Sequence, residues 1–65
     1  MKKVDLEKRI AKLAKERGAT WVRQGGSKHE KWLLNGVVIM VPRHREIGEM
    51  LARKIMQDCE RALEQ

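Results

Sequence analysis

Cysteine, proline and long apolar runs are all scarce in this chain of 65 residues. Cys59 is its single cysteine, so an internal disulfide is excluded, and no Cys/His spacing matches a zinc site. No apolar stretch is long enough to span a membrane, and charged residues at positions 5, 7, 8 and 9 break the segment where a signal peptide would need its apolar core. We therefore expect a cytoplasmic protein without a metal or a membrane partner.

Aromatic residues are almost absent as well, with no phenylalanine or tyrosine and two tryptophans. Both Trp21 and Trp32 are expected in or beside the core rather than stacked on bases. One proline and no low-complexity run predict one compact domain over residues 1–65, without linkers. A domain of this size buries only about 60% of its unfolded surface, so its stability should be modest.

Positive charge, in contrast, is plentiful. Fifteen Lys and Arg against nine Asp and Glu give a net charge of +6, and the pI is about 10.0. This balance favours an anionic partner, with nucleic acid as the leading candidate. The alternative is that the charge serves solubility alone.

The first segment predicts an amphipathic helix over about residues 5–17, with Asp5 capping its start and Gly18 ending it. A second helix follows residue 46. The expected core stripe of the first helix is Leu6, Ile10, Leu13 and Ala14, and that of the second is Ile47, Met50, Leu51, Ile55, Cys59, Ala62 and Leu63.

Three strands are predicted between the helices, over residues 20–23, 28–34 and 37–41. Asn35-Gly36 favours a tight turn, because both of its positions need positive φ. Such a turn pairs Leu34 with Val37, and the pairing of the two strands then continues to His29 opposite Pro42. Pro42 ends the sheet because it lacks a backbone N–H. The face assigned to the helices carries Trp32, Leu34, Val37, Ile39 and Val41, with Glu30 at its end.

The expected fold class is therefore α+β, in the order α-β-β-β-α, with a three-stranded antiparallel sheet and two helices on one face. The other face stays open. Leu33, Val38 and Met40 lie on it, and a monomer seldom leaves such apolar groups together in water, which suggests a protein partner.

His29 is the candidate for chemistry on this open face. Histidine titrates near neutral pH, so it can take a proton from an RNA 2′-hydroxyl or give one to a leaving 5′-oxygen, although most exposed strand histidines have no specific role. Candidate phosphate contacts are the backbone amides of Gly25 and Gly26 and the hydroxyl of Ser27. A basic rim around the open face is also predicted to neutralise phosphates, formed by Arg43, His44 and Arg45 with Lys28, Lys31 and Arg23. A plain turn and a solvated charged face are the commoner readings of these two features.

Two short sequence motifs, one at the start of the second strand and one after the third, resemble those of a known family. The run Gly26-Ser27-Lys28-His29 entering a strand, and Val41-Pro42-Arg43-His44 before an amphipathic helix, resemble the HicA toxin family over nearly the whole chain. Lys28 stands where many members have histidine or asparagine.

The resemblance implies a fold similar to the double-stranded RNA-binding domain and activity as a ribosome-independent mRNA endoribonuclease of a type II toxin–antitoxin pair. It maps the catalytic histidine onto His29 and an RNA-contacting or structural element onto Pro42, Arg43 and His44. The implied partners are mRNA and a HicB antitoxin that masks the active site, and no cofactor is needed. A non-catalytic RNA-binding module that uses the same basic face is the alternative.

Overall fold

The computed structural model describes residues 1–26 and 28–64, which form two helices and one sheet. The three strands lie antiparallel in the order β1-β2-β3, and the helices pack together over one face of the sheet. The α+β architecture and the α-β-β-β-α order are thus confirmed. The elements are α1 (Lys3–Glu16), β1 (Trp21–Gly25), β2 (His29–Leu34), β3 (Val37–Pro42) and α2 (Glu49–Leu63).

The Asn35-Gly36 turn fixes how β2 pairs with β3. Asn35 has a φ of 53° and Gly36 a φ of 83°, the left-handed conformation that this tight turn requires at both positions. The pairing runs from Leu34 opposite Val37 to His29 opposite Pro42, which confirms the predicted register at every pair. Because side chains alternate between faces along a strand, this register decides which residues reach the core.

β1 continues two residues farther than predicted, to Gly25 instead of Arg23. A β-bulge between Arg23 and Gly25 admits one extra residue opposite β2. Since bulges bend a strand and strengthen its local twist, the sequence pattern of alternating residues is lost there. The bulge lies at the same end of the sheet as His29.

The core lies between the helices and the covered face of the sheet. Cys59 is fully buried in it, and burial, together with the negative charges of Asp58 and Glu60, raises the pKa of its thiol to about 11. This cysteine is therefore a neutral packing group. The buried apolar residues are Leu6, Ile10, Ala14, Leu34, Ile39, Val41, Ile47, Ala52, Ile55, Cys59 and Ala62.

The prediction that Met50 and Leu51 begin the buried stripe of the second helix was wrong. Met50 is 85% exposed and Leu51 is also exposed, whereas Ala52 is buried. The helix begins only at Glu49, so Ile47 reaches the core from the preceding loop and the helical stripe starts one turn later, at Ala52. Leu63, at the end of the helix, is half-buried.

The predicted cap of the first helix was also wrong. The helix begins at Lys3, and Asp5 lies inside its first turn, where a negative charge suits the helix dipole. The start moves because the backbone N–H of Lys3 donates to the carbonyl of Arg45 at 2.7 Å, which satisfies an amide that a side-chain cap would otherwise serve. Gly18, with a φ of 66°, follows the helix end as predicted.

Candidate functional site

His29 is the first residue of β2 and its side chain is exposed. It lies opposite Pro42, on the sheet face that the helices leave uncovered. Lys31 is the next residue of β2 on this face and is exposed as well. The register therefore presents an imidazole and an ammonium group to solvent on one side of the strand.

The loop before His29 packs tightly against β2. Gly26 has a φ of 116°, and a Cβ built on it would lie only 2.1 Å from the carbonyl oxygen of His29. Any side chain at this position would have to displace the backbone of the strand. Gly26 is thus needed to bring the loop against the residue that is the candidate for chemistry.

Arg43 joins the two loops that flank His29. From the turn after β3 its guanidinium donates a hydrogen bond to the carbonyl of Gly26, in the loop between β1 and β2. An arginine side chain has five N–H donors in a planar fork, so other donors remain for an anion. The sequence suggested charge at this position, but not this bridge, which depends on the path of the chain after Pro42.

The other predicted phosphate contacts are distributed around this loop. Gly25 precedes Gly26 at the end of β1, and Lys28 is exposed immediately before the histidine. His44 is exposed two residues beyond Pro42, and within residues 1–26 and 28–64 no hydrogen bond joins it to His29. The prediction for Ser27 lies outside the described residues.

Glu30, next in the chain, points to the opposite face and is 8% exposed. Its carboxylate accepts from Lys3 Nζ at 2.7 Å and from the indole N–H of Trp32 at 3.1 Å, and the guanidinium of Arg23 lies 3.8 Å away. The hydrogen bond from Lys3 lowers the pKa of Glu30 and outweighs burial, which acts the other way. The strand that carries His29 is thereby tied to the first turn of α1.

Lys3 is held equally firmly, since it also donates to Glu7 at 2.8 Å. Burial alone would lower the pKa of Lys3, but its contacts with Glu30 and Glu7 raise it. This network was not predicted from the sequence. The signal for it was a glutamate at a core-facing register position, because a buried carboxylate requires a cation or donors nearby.

The two tryptophans lie on the covered side of the sheet. Their rings stack with centroids 4.4 Å apart and planes 10° from parallel, and both pack against the buried core. The expectation that they serve the core is confirmed.

Apolar side chains occupy the centre of the open face. Val22, Leu33 and Val38 are paired across the three strands and so form one row, and Met40 lies opposite Lys31 in the next row. Val22, Val38 and Met40 are exposed, and Leu33 is half-buried. We call these four residues the apolar patch. It contains the three residues predicted from the sequence and adds Val22.

Within the described part of the chain, no three His, Cys, Asp or Glu side chains are grouped so that they could hold a metal ion. No helix there combines the length and the apolar composition needed to cross a membrane.

Comparison with known proteins identifies one family. The model of a family described as "HicA toxin of bacterial toxin-antitoxin" matches residues 8–61, which include most of both helices, the whole sheet and both loops around His29. Searches of curated proteins and of solved structures gave no match.

Proposed function

Because this chain belongs to the HicA toxin family of bacterial toxin–antitoxin systems, we propose that its toxic activity is endonucleolytic cleavage of mRNA, with His29 as a general acid or base. The observation that carries this proposal is the placement of His29. It is an exposed histidine on the uncovered sheet face, beside the close-packed glycine loop of Gly25 and Gly26 and the basic turn of Arg43, His44 and Arg45.

The chemistry requires proton transfer and no oxidation or reduction. The 2′-oxygen of a ribose attacks the adjacent phosphorus, the bond from phosphorus to the 5′-oxygen breaks, and one proton leaves the 2′-hydroxyl while another reaches the 5′-oxygen. Imidazole can accept the first proton or donate the second near neutral pH. His29 is proposed for one of these two transfers, and His44 for an accessory role.

The phosphate would be bound by the surroundings of His29. Lys28, Lys31 and Arg43 provide positive charge, and Gly25 and Gly26 provide a loop backbone that a phosphate can approach closely. Ser27, in the same loop, is proposed to donate its hydroxyl. The bridge from Arg43 to Gly26 supports this arrangement, because it holds the basic turn beside the glycine loop.

A toxin of this family has an antitoxin partner. We propose that the partner is of HicB type and that it binds the apolar patch, whose predicted contacts are Leu33, Val38 and Met40. Exposed apolar side chains on a sheet lose contact with water when a partner covers them, which favours association. His29 shares this face, so an antitoxin seated there would block access of RNA to the histidine. Both the mRNA substrate and this partner would be met in the cytoplasm.

The proposal is tested by inducing the chain in growing bacteria and by incubating the purified protein with single-stranded RNA in a chelator. Growth arrest with loss of intact mRNA, and cleavage in the tube, are the expected results. Binding of RNA by the folded protein without any product would contradict the proposal. That outcome would favour the alternative of a non-catalytic RNA-binding module.

A further inference from the structure

A second, short β-pairing lies beside the basic turn. The N–H of Lys3 donates to the carbonyl of Arg45, the N–H of Ile47 donates to the carbonyl of Met1, both at 2.7 Å, and Lys2 is bridged to Glu46. These contacts fix the residues after Pro42 against the start of α1. The turn is thus held from both sides, by this pairing and by the Arg43 bridge to Gly26.

A surface cavity of about 610 Å³ opens between the basic turn and α1. Four of its lining residues are cationic and two are anionic. The lining consists of Lys2, Lys3, Val4, Glu7, Arg43, Arg45 and Glu46.

The cations of this cavity are not all equivalent. Lys3 is engaged by Glu7 and by Glu30, at 2.8 and 2.7 Å. Among the residues that the structure describes, no ion pair involves Lys2, Arg43 or Arg45. Glu46 lies 3.7 Å from the N-terminal ammonium group of Met1, so the cavity keeps a net positive charge, which attracts an anion.

Arg43 connects this cavity to the His29 site. It lines the cavity and also donates to Gly26, three residues before His29. An RNA strand places successive phosphates along its backbone, so a strand with one phosphate at His29 carries its neighbours along the adjoining surface. Val4 is exposed at the cavity and offers an apolar contact to a ribose or a base.

We propose that this cavity binds a phosphodiester of the RNA strand that flanks the one cleaved at His29, with Lys2 and Arg45 as its contacts. This inference rests on the proposed function, and it extends the binding surface over the edge of the sheet to the start of α1. The cavity contributes to substrate affinity and not to proton transfer.

The test compares two double variants that each remove two positive charges. Lys2→Ala/Arg45→Ala alters the cavity, and Lys54→Ala/Arg61→Ala alters exposed residues of α2 that take part in no described ion pair. Both are made in a His29→Ala background so that RNA is not consumed. Affinity for a single-stranded oligoribonucleotide is measured by fluorescence anisotropy between 0.05 and about 0.5 M salt, after circular dichroism has established that each variant is folded.

For single strands the logarithm of the binding constant falls with the logarithm of salt by about 0.7 per phosphate contacted. The cavity variant should therefore lower this slope by about 0.7, the value for one phosphate. At about 0.1 M salt its affinity should be roughly 5-fold weaker than that of the His29→Ala parent. The α2 variant should keep the parent's slope and affinity.

An unchanged slope in the cavity variant, an equal change in the α2 variant, or no RNA binding by the parent would each overturn the inference. The proposed function fails separately. If the His29-containing protein cleaves RNA while the cavity variant keeps its salt slope, only the cavity assignment is lost. If the slope changes as expected but the His29-containing protein never yields product, only the cleavage proposal is lost.

Discussion

His29 and Glu30 are neighbours in β2, yet they lie on opposite faces of the sheet and in opposite chemical surroundings. Glu30 is buried and held by Lys3 and Trp32, whereas His29 is exposed and its imidazole makes no hydrogen bond or ion pair with the residues that the structure describes. The comparison shows that one strand of a small domain can carry a structural side chain on one face and a candidate functional side chain on the other. The carboxylate on the covered face is part of the packed structure, and the imidazole on the open face is exposed to solvent.

The same contrast extends along the sheet. Leu34 and Ile39 on the covered face are buried, while Val38 and Met40 on the open face are exposed. Burial explains the first pair completely. The second pair belongs to the apolar patch, where we propose that the antitoxin binds.

The largest expected loss of stability is at Leu34, and the same substitution at the adjacent Leu33 should have a much smaller effect. Leu34→Ala removes a fully buried side chain and should lower the free energy of unfolding by about 3 kcal/mol, since it loses apolar contacts and leaves a cavity. Leu33→Ala, on the open face, should cost less than about 1.5 kcal/mol. Urea unfolding measures the free energy of unfolding of both variants. Equal losses would contradict the assignment of Leu34 to the covered face and Leu33 to the open face.

The next effect concerns the loop between β1 and β2. Gly26→Ala should lower stability by about 2 to 3 kcal/mol, because it combines positive φ with a Cβ that collides with the carbonyl of His29. Gly25→Ala has comparable φ strain, at 130°, but open space around its Cβ, so its cost should be about 1 kcal/mol. Thermal unfolding of the two alanine variants tests this difference, and a smaller loss in Gly26→Ala would contradict the packing described here.

Glu30→Gln should lower the free energy of unfolding by about 2 kcal/mol. This lies between the small effect of breaking an exposed ion pair and the roughly 3 to 5 kcal/mol for a fully buried one. Glu49→Gln is the matched control, since its pair with Arg53 is exposed and should contribute less than about 0.5 kcal/mol. Chemical denaturation at neutral pH measures both. Similar small losses would show that the covered carboxylate is not a structural group.

The pH dependence of stability follows from the same carboxylate. The pKa of Glu30 is lower in the folded chain than its ordinary value of 4.5, so its contribution is complete above that pH and is lost as pH falls through the folded pKa. The parent should therefore lose stability below about pH 4.5, and Glu30→Gln should lose less over the same range. Identical acid profiles would assign the acid sensitivity to other groups.

The smallest effect on stability belongs to the apolar patch. Met40→Asp should change the free energy of unfolding by no more than about 0.5 kcal/mol, yet weaken binding of the antitoxin at least tenfold, about 1.4 kcal/mol. Met50→Asp places the same charge on exposed α2 and should leave binding unchanged. Isothermal titration with the antitoxin compares them, and equal binding by both variants would remove the patch from the interface.

Local signals predicted most of this fold. The Asn35-Gly36 turn determined the register of β2 and β3, and with it the faces of His29 and Leu34. Met50 and Asp5 were misassigned because helix starts depend on neighbouring segments, here the pairing of residues 1–3 with 45–47. The sequence periodicity contains no such information.

At the candidate site, the residue types were predictable but their connections were not. Lys3 and Glu30 are 27 positions apart, and Arg43 and Gly26 are 17 apart. Contacts over such separations depend on how the helices and loops pack together. The sequence pattern placed His29 at the start of a strand, whereas only the structure showed the hydrogen bond from Arg43 to Gly26 in the loop before it.

The rate at which the protein cleaves a single-stranded RNA in chelator tests most directly whether His29 transfers a proton. The parent, His29→Ala and His44→Ala are compared at one pH, with urea midpoints measured alongside. His29→Ala should keep the parent's midpoint and lose about 10²- to 10⁴-fold in rate, the usual contribution of a general acid or base, while His44→Ala should lose much less. A His29→Ala variant that is folded and cleaves at the parent's rate would contradict the account.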